Sequence, residues 1–307
     1  MEAKWLGITA VAPVAWGANY VVTRQLLPVD APLWGSALRA LPAGLVLLAV
    51  ARTLPRGVWW WRSVVLGTLN VGAFFLLVYL AAQLLPSSVA ASVMALAPLT
   101  MAGFAWLLVA ERMTGAALAG AVAGILGVLL LVGGASGGVD PLGLATSAAA
   151  LLLSSAGAVL GKRWNDGTPL VALTSWQLVL GGAVLAVVAV ATEGAPPSLD
   201  AREAAGFAFT TLVATALAYL CWFAGLARLR AATVGVVGLL NPVTGVLLGA
   251  LVAHESFTVE QVAGIALVLG GILATSQATT RRIPVQPEPD LLPSPSHEST
   301  VLAGARC

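Results

Sequence analysis

Arg39 is the only charged residue that lies well inside one of the long apolar segments of this chain. It would stand about 9 Å from the end of a helix that begins near residue 33. A charge within a bilayer is costly, so it normally faces protein or a water-filled cavity and has a function. The guanidinium could attract a carboxylate or phosphate of a substrate. It could equally extend to the interface or hold a neighbouring helix, and these alternatives stay open.

Neutral polar and aromatic side chains supply the other candidate binding groups. Asn19, Gln177 and Asn241 are amides within apolar segments, where each needs a partner from another helix or from a substrate. Tyr219 and Trp222 are three residues apart and therefore share one helix face. The predicted substrate-binding set comprises Asn19, Arg39, Tyr79, Gln177, Tyr219, Trp222 and Asn241.

Several other kinds of chemistry have no residues to support them. No Asp or Glu lies in the middle third of an apolar segment, so antiport through one buried carboxylate has no evident carrier. A membrane-embedded enzyme is the alternative class, but the chain has neither a paired-Asp diphosphate motif nor an H-E-x-x-H motif. Cys221 and Cys307 form neither a metal-binding spacing nor a disulfide framework. We therefore expect no enzyme activity, no cofactor and no metal.

The composition places these residues in a membrane protein. Of 307 residues, 59% are hydrophobic and 9% are charged, and the mean hydropathy is +0.95. A soluble domain has roughly one-quarter charged residues. The lipid bilayer is therefore an expected partner, and nothing in the net charge of +2 indicates nucleic acid. The N-terminal apolar segment continues to Arg24 without a break, which favours a membrane helix over a signal peptide.

Charged and Pro/Gly-rich breaks divide the apolar sequence into ten predicted membrane helices. The weakest boundary is the third one, where only Pro86 and two serines mark a turn. We predict an all-α polytopic membrane protein. The helices are predicted near residues 6–23, 33–51, 64–84, 88–109, 116–134, 143–161, 171–191, 205–225, 231–252 and 260–277.

Basic residues predict the orientation of these helices. Lys and Arg concentrate in cytoplasmic loops, and with the N terminus inside only Arg24 and Arg202 fall outside. Both termini are therefore predicted to be cytoplasmic, in a multi-pass protein of the cell membrane. Trp59 to Trp61, directly before Arg62, fit an interfacial aromatic belt. Residues 280–307 are rich in Pro and Ser and are predicted to form a disordered cytoplasmic tail.

The chain contains an internal repeat. A shift of 144 positions places Pro98 on Pro242 and Glu111 on Glu255. Each half holds five predicted helices, an odd number, so the second half must enter the membrane in the opposite sense. Inverted repeats of this kind are typical of secondary transporters, whose substrate site lies between the halves. The predicted repeats are residues 1–137 and 138–279.

The four repeated residues have structural as well as functional interpretations. Pro98 and Pro242 are predicted to kink their helices, for packing or beside a cavity. Glu111 and Glu255 are predicted to lie at helix ends, with a gating or a structural role. The structural role expected of Glu255 is local, because a T-x-x-Q capping box starts just after it at Thr258.

Together these features resemble the EamA-type branch of the drug/metabolite transporter superfamily. The resemblance rests on WGANYVVTR in the first helix, the Arg39 helix, QLVLGG in the seventh, and the repeated A-P-L and N-P-V elements, each with an acid thirteen residues later. It implies two five-helix halves around a central cavity and export of a small organic metabolite, such as an amino acid, by alternating access. An exporter of aromatic or cationic drugs is the alternative. One departure is AGAVLGK in the sixth helix, which lacks the Trp and Asn of WGAN.

Overall fold

The computed structural model describes residues 2–110, 115–133, 139–229, 234, 237–238, 240–255 and 257–280. These residues form helices and loops, with no β-strand among them. Seven of the helices are long and apolar enough to cross a membrane, and three further apolar helices are shorter. The predicted all-α, multi-pass membrane fold is thus confirmed, while the count of ten crossing helices stays a prediction.

The helices follow the predicted order, and several are longer than predicted. Two of them, α3 and α8, contain a π-helical turn, at Thr68–Gly72 and at Phe209–Leu217. In chain order the helices are α1 (Glu2–Leu26), α2 (Pro32–Ala51), α3 (Trp59–Leu84), α4 (Ser87–Met94, then Ala97–Val109), α5 (Gly115–Gly133), α6 (Pro141–Trp164), α7 (Leu170–Thr192), α8 (Ala201–Leu226), α9 (Leu240–Leu251) and α10 (Val259–Thr280).

Local capping interactions account for several helix ends. Asp140 accepts hydrogen bonds from the second and third backbone N–H groups of α6, and Asp200 and Glu203 form a reciprocal capping box at the start of α8. The box predicted before α10 is confirmed. The backbone N–H of Thr258 donates to Gln261 at 3.0 Å, and the backbone N–H of Gln261 donates to the Thr258 hydroxyl at 3.4 Å.

Prolines interrupt the helices at two places in the first half. The boundary predicted at Pro86 is confirmed, because α3 ends at Leu84 and α4 begins at Ser87. Pro98 breaks α4 rather than kinking it. The segment restarts after a turn at residues 95–96, and Pro98 occupies one of the first two positions, where no backbone N–H is needed. Pro242 is the third residue of α9 as described, so its kink stays a prediction.

Helices α2 and α7 pack closely through glycines that occupy corresponding positions. A Cβ atom on Gly44 would lie 2.8 Å from the backbone nitrogen of Val179, and one on Gly182 would lie 2.9 Å from the backbone nitrogen of Leu41. Leu41 therefore lies opposite Gly182, and Gly44, further along α2, lies opposite Val179, which is earlier in α7. The two helices are antiparallel, and their contacts are reciprocal.

Helices α5 and α10 show the same relation. A Cβ atom on Gly127 would lie 2.6 Å from the carbonyl oxygen of Gly264, and one on Gly271 would lie 3.0 Å from the carbonyl oxygen of Gly120. These two contacts are equivalent under the repeat, because Gly127 and Gly271 are 144 residues apart and so are Gly120 and Gly264. Reciprocal antiparallel contacts between corresponding helices are the result that a two-fold axis parallel to the membrane would produce.

Two faces of the bundle can be defined from α1. We name the side at which α1 begins the first face and the side at which it ends the second face. Arg24 near the end of α1 donates to the carbonyl of Leu85 at 2.6 Å, which places the turn between α3 and α4 at the second face. Gln83 adds hydrogen bonds to the carbonyls of Thr23 and Leu27 there.

Candidate functional site

Arg39 lies within the bundle, in contact with two other helices. Its Nε donates to the hydroxyl of Thr215 in α8 at 3.0 Å, and its guanidinium carbon is 4.1 Å from the ring centre of Phe75 in α3. Both neighbours are uncharged, and no carboxylate contacts the guanidinium among the described residues. The arginine is therefore held in place by a hydroxyl and an aromatic face, without a counter-ion.

Two tyrosines bring α1 and α8 into the surroundings of Arg39. The hydroxyl groups of Tyr20 and Tyr219 are close enough to the guanidinium to interact with it electrostatically. Tyr20 is buried, with 5% of its surface exposed, against α3 and α4. The four helices α1, α2, α3 and α8 thus meet around one positive charge.

An aromatic cluster adjoins this charge. The ring of Trp16 lies 5.8 Å from that of Tyr219 and 5.3 Å from that of Trp222, and Tyr219 stacks on Phe223 at 5.8 Å. Trp222 also lies near Gly238, two residues before α9, since a Cβ atom on Gly238 would lie 3.4 Å from its ring. Tyr219 and Trp222 share a helix face, and the structure brings them together with Trp16 of α1.

Gln177 pairs with another helix in this structure. Its side-chain oxygen accepts a hydrogen bond of 2.8 Å from the amide of Asn70, which lies in the π turn of α3. Asn70 in turn lies against Gly157 of α6, where a Cβ atom could not fit. Of the two alternatives for Gln177, a helix partner is therefore the one seen here.

The Arg39 and Gln177 contacts correspond to each other. Both residues are the eighth of their helices, α2 and α7, and each bonds to a π turn, Thr215 in α8 or Asn70 in α3. Each hydrogen bond joins one predicted repeat to the other. Helix α2 starts at the second face, so the Arg39 bond lies nearer that face. Helix α7 starts at the first face, so the Gln177 bond lies nearer the first. π turns occur frequently at functional sites.

Two of the predicted binding amides have unsatisfied oxygens. The side-chain oxygens of Asn19 and Asn241 are buried and have no hydrogen-bond partner among the described residues. Asn19 is only 3% exposed and adjoins Tyr20 along α1. Most buried polar atoms are paired, so an unpaired acceptor is a place where a ligand can donate a hydrogen bond.

Tyr79 lies apart from this group. Its hydroxyl donates to the carbonyl of Pro28 in the loop after α1, and its ring packs tightly on Gly35 near the start of α2. The side chain is 4% exposed and belongs to a cluster with Leu27 and Phe207 at the second face. The structure thus gives Tyr79 a contact that closes the second face rather than one to Arg39.

The local role expected of Glu255 is wrong. Its carboxylate accepts hydrogen bonds from the backbone N–H groups of Ser87 and Ser88 at 2.7 and 3.2 Å, and from the hydroxyl of Ser88 at 2.6 Å. It therefore caps the N terminus of α4, 167 residues away in sequence. The sequence could not indicate this contact, because it depends on the packing of the two halves. Glu111 lies outside the described residues.

A second acid acts in the same way. Glu193, just after α7, accepts hydrogen bonds from the backbone N–H groups of Leu33 and Trp34 at 2.8 and 3.0 Å, at the start of α2. A carboxylate at a helix N terminus also interacts favourably with the helix dipole. At the second face, two acids of the second predicted repeat thus cap two helices of the first.

The two best-defined cavities of the described residues are small and lie away from Arg39. One of about 110 Å³ is lined by Leu96, Leu99, Thr100 and Ile125. The other, of about 60 Å³, lies between α2, α3 and α7. Drug-sized ligands occupy pockets of about 300 Å³ or more, so neither of these two cavities is large enough to hold such a ligand.

Sequence reasoning missed several residues around the site. Asn70 carried the same signal as Asn19, an amide in an apolar segment, and could have been found by the same rule. Trp16 and Tyr20, in the WGANY motif, are aromatics that the sequence offers as possible pocket residues, but the predicted binding set does not include them. Phe75 and Thr215 had no signal, because such residues are common in apolar helices.

The described residues form a helical bundle with apolar helices long enough to cross a membrane, and Arg39 has no acidic partner among them. The chain belongs to the EamA-like transporter family, whose profile matches residues 3–133 and again residues 141–277. The resemblance noted from the motifs is thus confirmed, and the protein is a transporter of the drug/metabolite type.

Relatives and a solved structure agree with this assignment. Protein PecM of Dickeya dadantii is 35% identical over 280 residues, covering 90% of this chain and 94% of its own length. A probable amino-acid metabolite efflux pump of Salmonella typhimurium is 28% identical over 275 residues, covering 84% of this chain and 90% of its own. A solved crystal structure with 20% identity has a TM-score of 0.64 over 91% of this chain and 98% of its own, which shows the fold.

Proposed function

We propose that this protein exports a small carboxylate-bearing metabolite, an amino acid or a related compound, across the cell membrane by alternating access. The observation that carries this proposal is the state of Arg39, a half-buried cation inside the bundle whose described contacts are an aromatic ring and a hydroxyl. An unpaired charge in a membrane is costly. A substrate carboxylate would supply the missing counter-ion, and a guanidinium can bind it through two parallel hydrogen bonds.

A second group favours a substrate that also carries a hydrogen-bond donor. The buried side-chain oxygen of Asn19 lacks a donor and lies next to Tyr20 along α1, one of the residues around Arg39. A substrate ammonium group could satisfy it. The relative named as a probable amino-acid metabolite efflux pump supports this substrate class and the export direction.

The proposed architecture is ten crossing helices in two inverted repeats, residues 1–137 and 138–279, with both termini in the cytoplasm. The two matches of the family profile support the duplication. The reciprocal antiparallel contacts of α2 with α7 and of α5 with α10 support the inversion. In this arrangement the first face is cytoplasmic and the second face is external.

Two hydrogen bonds between the repeats provide a candidate gating mechanism. Arg39 binds the π turn of α8 nearer the second face, and Gln177 binds the π turn of α3 nearer the first. Opening one face would break one bond and keep the other. A substrate carboxylate that draws Arg39 from Thr215 would thus couple binding to the opening of the second face.

An exporter of aromatic cations is the second candidate, and the cluster of Trp16, Tyr219, Trp222 and Phe223 favours it. Indole and phenol faces bind organic cations within about 6 Å of the ring centre. Arg39 would repel such a substrate. The two candidates therefore differ in what the removal of Arg39 does.

A thermal-stability screen of the purified protein tests the proposal. A ligand at a hundred times its dissociation constant adds about 2.7 kcal/mol to the folded state. We expect amino acids or organic anions to raise the melting temperature of the wild type but not of Arg39→Gln. Stabilisation by aromatic cations alone, retained in Arg39→Gln, would contradict the carboxylate assignment and favour the second candidate.

A further inference from the structure

The loop between α2 and α3 carries two unpaired arginines beside exposed apolar side chains. Arg52 and Arg56 are exposed, and neither forms an ion pair or a side-chain hydrogen bond among the described residues. Leu54 between them is 62% exposed. Together with Trp60 and Trp61, which follow in α3, these two arginines form a surface that we name the arginine corner.

The tryptophans of this surface differ in their environments. Trp59 is buried at 5% exposure, so the predicted interfacial belt does not include it, whereas Trp60 and Trp61 are 51% and 52% exposed. Arg62 lies within 6 Å of the rings of Trp59, Trp61 and Trp164 and donates to a backbone carbonyl of α6 at 3.2 Å. Arg62 is therefore engaged by indole rings and a backbone carbonyl. Arg52 and Arg56 have no such contacts among the described residues and can bind an external partner.

An apolar cavity lies directly beneath the corner. It has a volume of about 60 Å³ and opens between α2, α3 and α7. Leu48, Leu54 and Pro55 line one side, and Trp60, Trp176 and Leu180 line the other. A hydrocarbon chain is the natural occupant, because no polar side chain lines the space.

Asp166, the acid near this surface, is bonded to neutral donors and not to Arg52 or Arg56. The carboxylate of Asp166 accepts hydrogen bonds from the hydroxyl of Thr168 at 2.7 Å and from the indole of Trp59 at 2.8 Å. These two bonds lower the pKa of Asp166 from its usual value, so it stays ionised near neutral pH. Asp166 forms no ion pair with Arg52 or Arg56 among the described residues, and one negative charge against the two arginines leaves the corner positive.

We infer that the arginine corner binds an anionic phospholipid, with the phosphate at Arg52 and Arg56 and the start of an acyl chain against the apolar cavity. Free arginines, exposed indoles and an apolar cavity in one place match the three parts of such a lipid: its charge, its interfacial region and its chain. A soluble phosphate would not use the cavity. This inference does not depend on the transported substrate.

Lipid-dependent quenching of tryptophan fluorescence tests the inference. Brominated phosphatidylglycerol is titrated into phosphatidylcholine bilayers that contain the full chain, and the relative binding constant of the two lipids is measured. Arg52→Gln/Arg56→Gln is compared with Arg202→Gln, a single exposed arginine elsewhere, and with Arg202→Gln/Arg228→Gln, in which Arg228 also loses its contact with the ring of Trp5. Melting temperatures establish that all three variants are folded.

We expect the wild type to prefer phosphatidylglycerol and the corner variant to lose this preference, by roughly thirty-fold at low salt. Both control variants should keep it. Inorganic phosphate at millimolar concentration should not compete. No preference in the wild type, an equal loss in the corner and control variants, or full competition by phosphate would overturn the assignment.

Discussion

The charged side chains of this protein differ in the hydrogen-bond partners that they have. Glu193 and Glu255 find backbone N–H groups at helix starts, where a carboxylate is stabilised by hydrogen bonds and the helix dipole. Among the described residues, Arg39 has uncharged neighbours, the hydroxyl of Thr215 and the ring of Phe75. At the residue scale this contrast separates the acids that stabilise helix ends from Arg39, a charge inside the bundle that has no counter-ion among the described residues.

Replacing Glu255 with Gln should destabilise the protein by about 1 kcal/mol, because the cap of α4 loses its charge and one acceptor. Melting in detergent, followed by circular dichroism, measures the change. Asp30→Asn is the control, since Asp30 is an exposed acid in a loop of the same face. Equal melting temperatures for Glu255→Gln and the wild type would refute the cap.

At this scale the sequence predicted residues whose presence in a bilayer is energetically costly. Arg39 was identified because a charge in an apolar segment is rare, and its placement among four helices agrees with an inward orientation. The partner of Glu255 could not be predicted, since no local pattern links two positions 167 residues apart.

At the element scale, the π turns of α3 and α8 each provide a side-chain hydrogen bond to the opposite repeat, Asn70 to Gln177 of α7 and Thr215 to Arg39 of α2. A π turn adds a residue to the helical turn and aims Asn70 and Thr215 at their partners. No residue type marks such a turn, so hydropathy predicted the helices but not these irregularities. The polar residues they carry are among those that join the two predicted repeats.

The Asn70 and Gln177 pair should behave as a coupled unit. In a double-mutant cycle with Asn70→Ala and Gln177→Ala, we expect an interaction energy of about 0.5–1.5 kcal/mol, as found for side-chain hydrogen bonds between membrane helices. Unfolding in mixed micelles measures it. Thr68→Ala is the control in the same π turn, because its hydroxyl bonds only within α3. Additive effects of Asn70→Ala and Gln177→Ala would show that the bond contributes nothing.

The close contact of α2 with α7 should not tolerate a methyl group. Gly182→Ala would place a Cβ atom 2.9 Å from the backbone of Leu41, so we expect a loss of about 1–3 kcal/mol. Gly7→Ala is the matched control in α1, where nothing lies within 4 Å. The melting temperatures of Gly182→Ala and Gly7→Ala test this expectation. Equal values would mean that α2 and α7 are farther apart in the membrane.

At the scale of the whole molecule, contacts between the predicted repeats are found at both faces. Glu193 and Glu255 join them at the second face, and the indole of Trp176 donates to the carbonyl of Thr53 at 2.7 Å at the first. Opening either face must break such bonds, while the reciprocal glycine contacts can act as pivots. The fold class and helix order could be predicted, because the bilayer requires long apolar helices. The contacts that hold the halves together depend on three-dimensional packing.

The proposed topology makes a labelling prediction. In a variant whose native cysteines are replaced, Arg202→Cys should react with a membrane-impermeant maleimide in intact cells, because the start of α8 is proposed to be external. Arg56→Cys should react only after the cells are opened. Labelling of both from outside, or the reverse order, would contradict the orientation derived from the charges.

The most direct test of the central claim is counterflow in proteoliposomes, using radiolabelled amino acids and organic anions chosen by the stability screen. We predict saturable counterflow by the wild type, partial activity of Arg39→Lys, and a loss of about a hundredfold or more in Arg39→Gln, which removes the proposed charge-assisted contact with the substrate. The Arg39→Gln protein must melt close to the wild type for the comparison to hold. Full counterflow of a carboxylate substrate by folded Arg39→Gln would show that Arg39 is not the substrate's counter-ion.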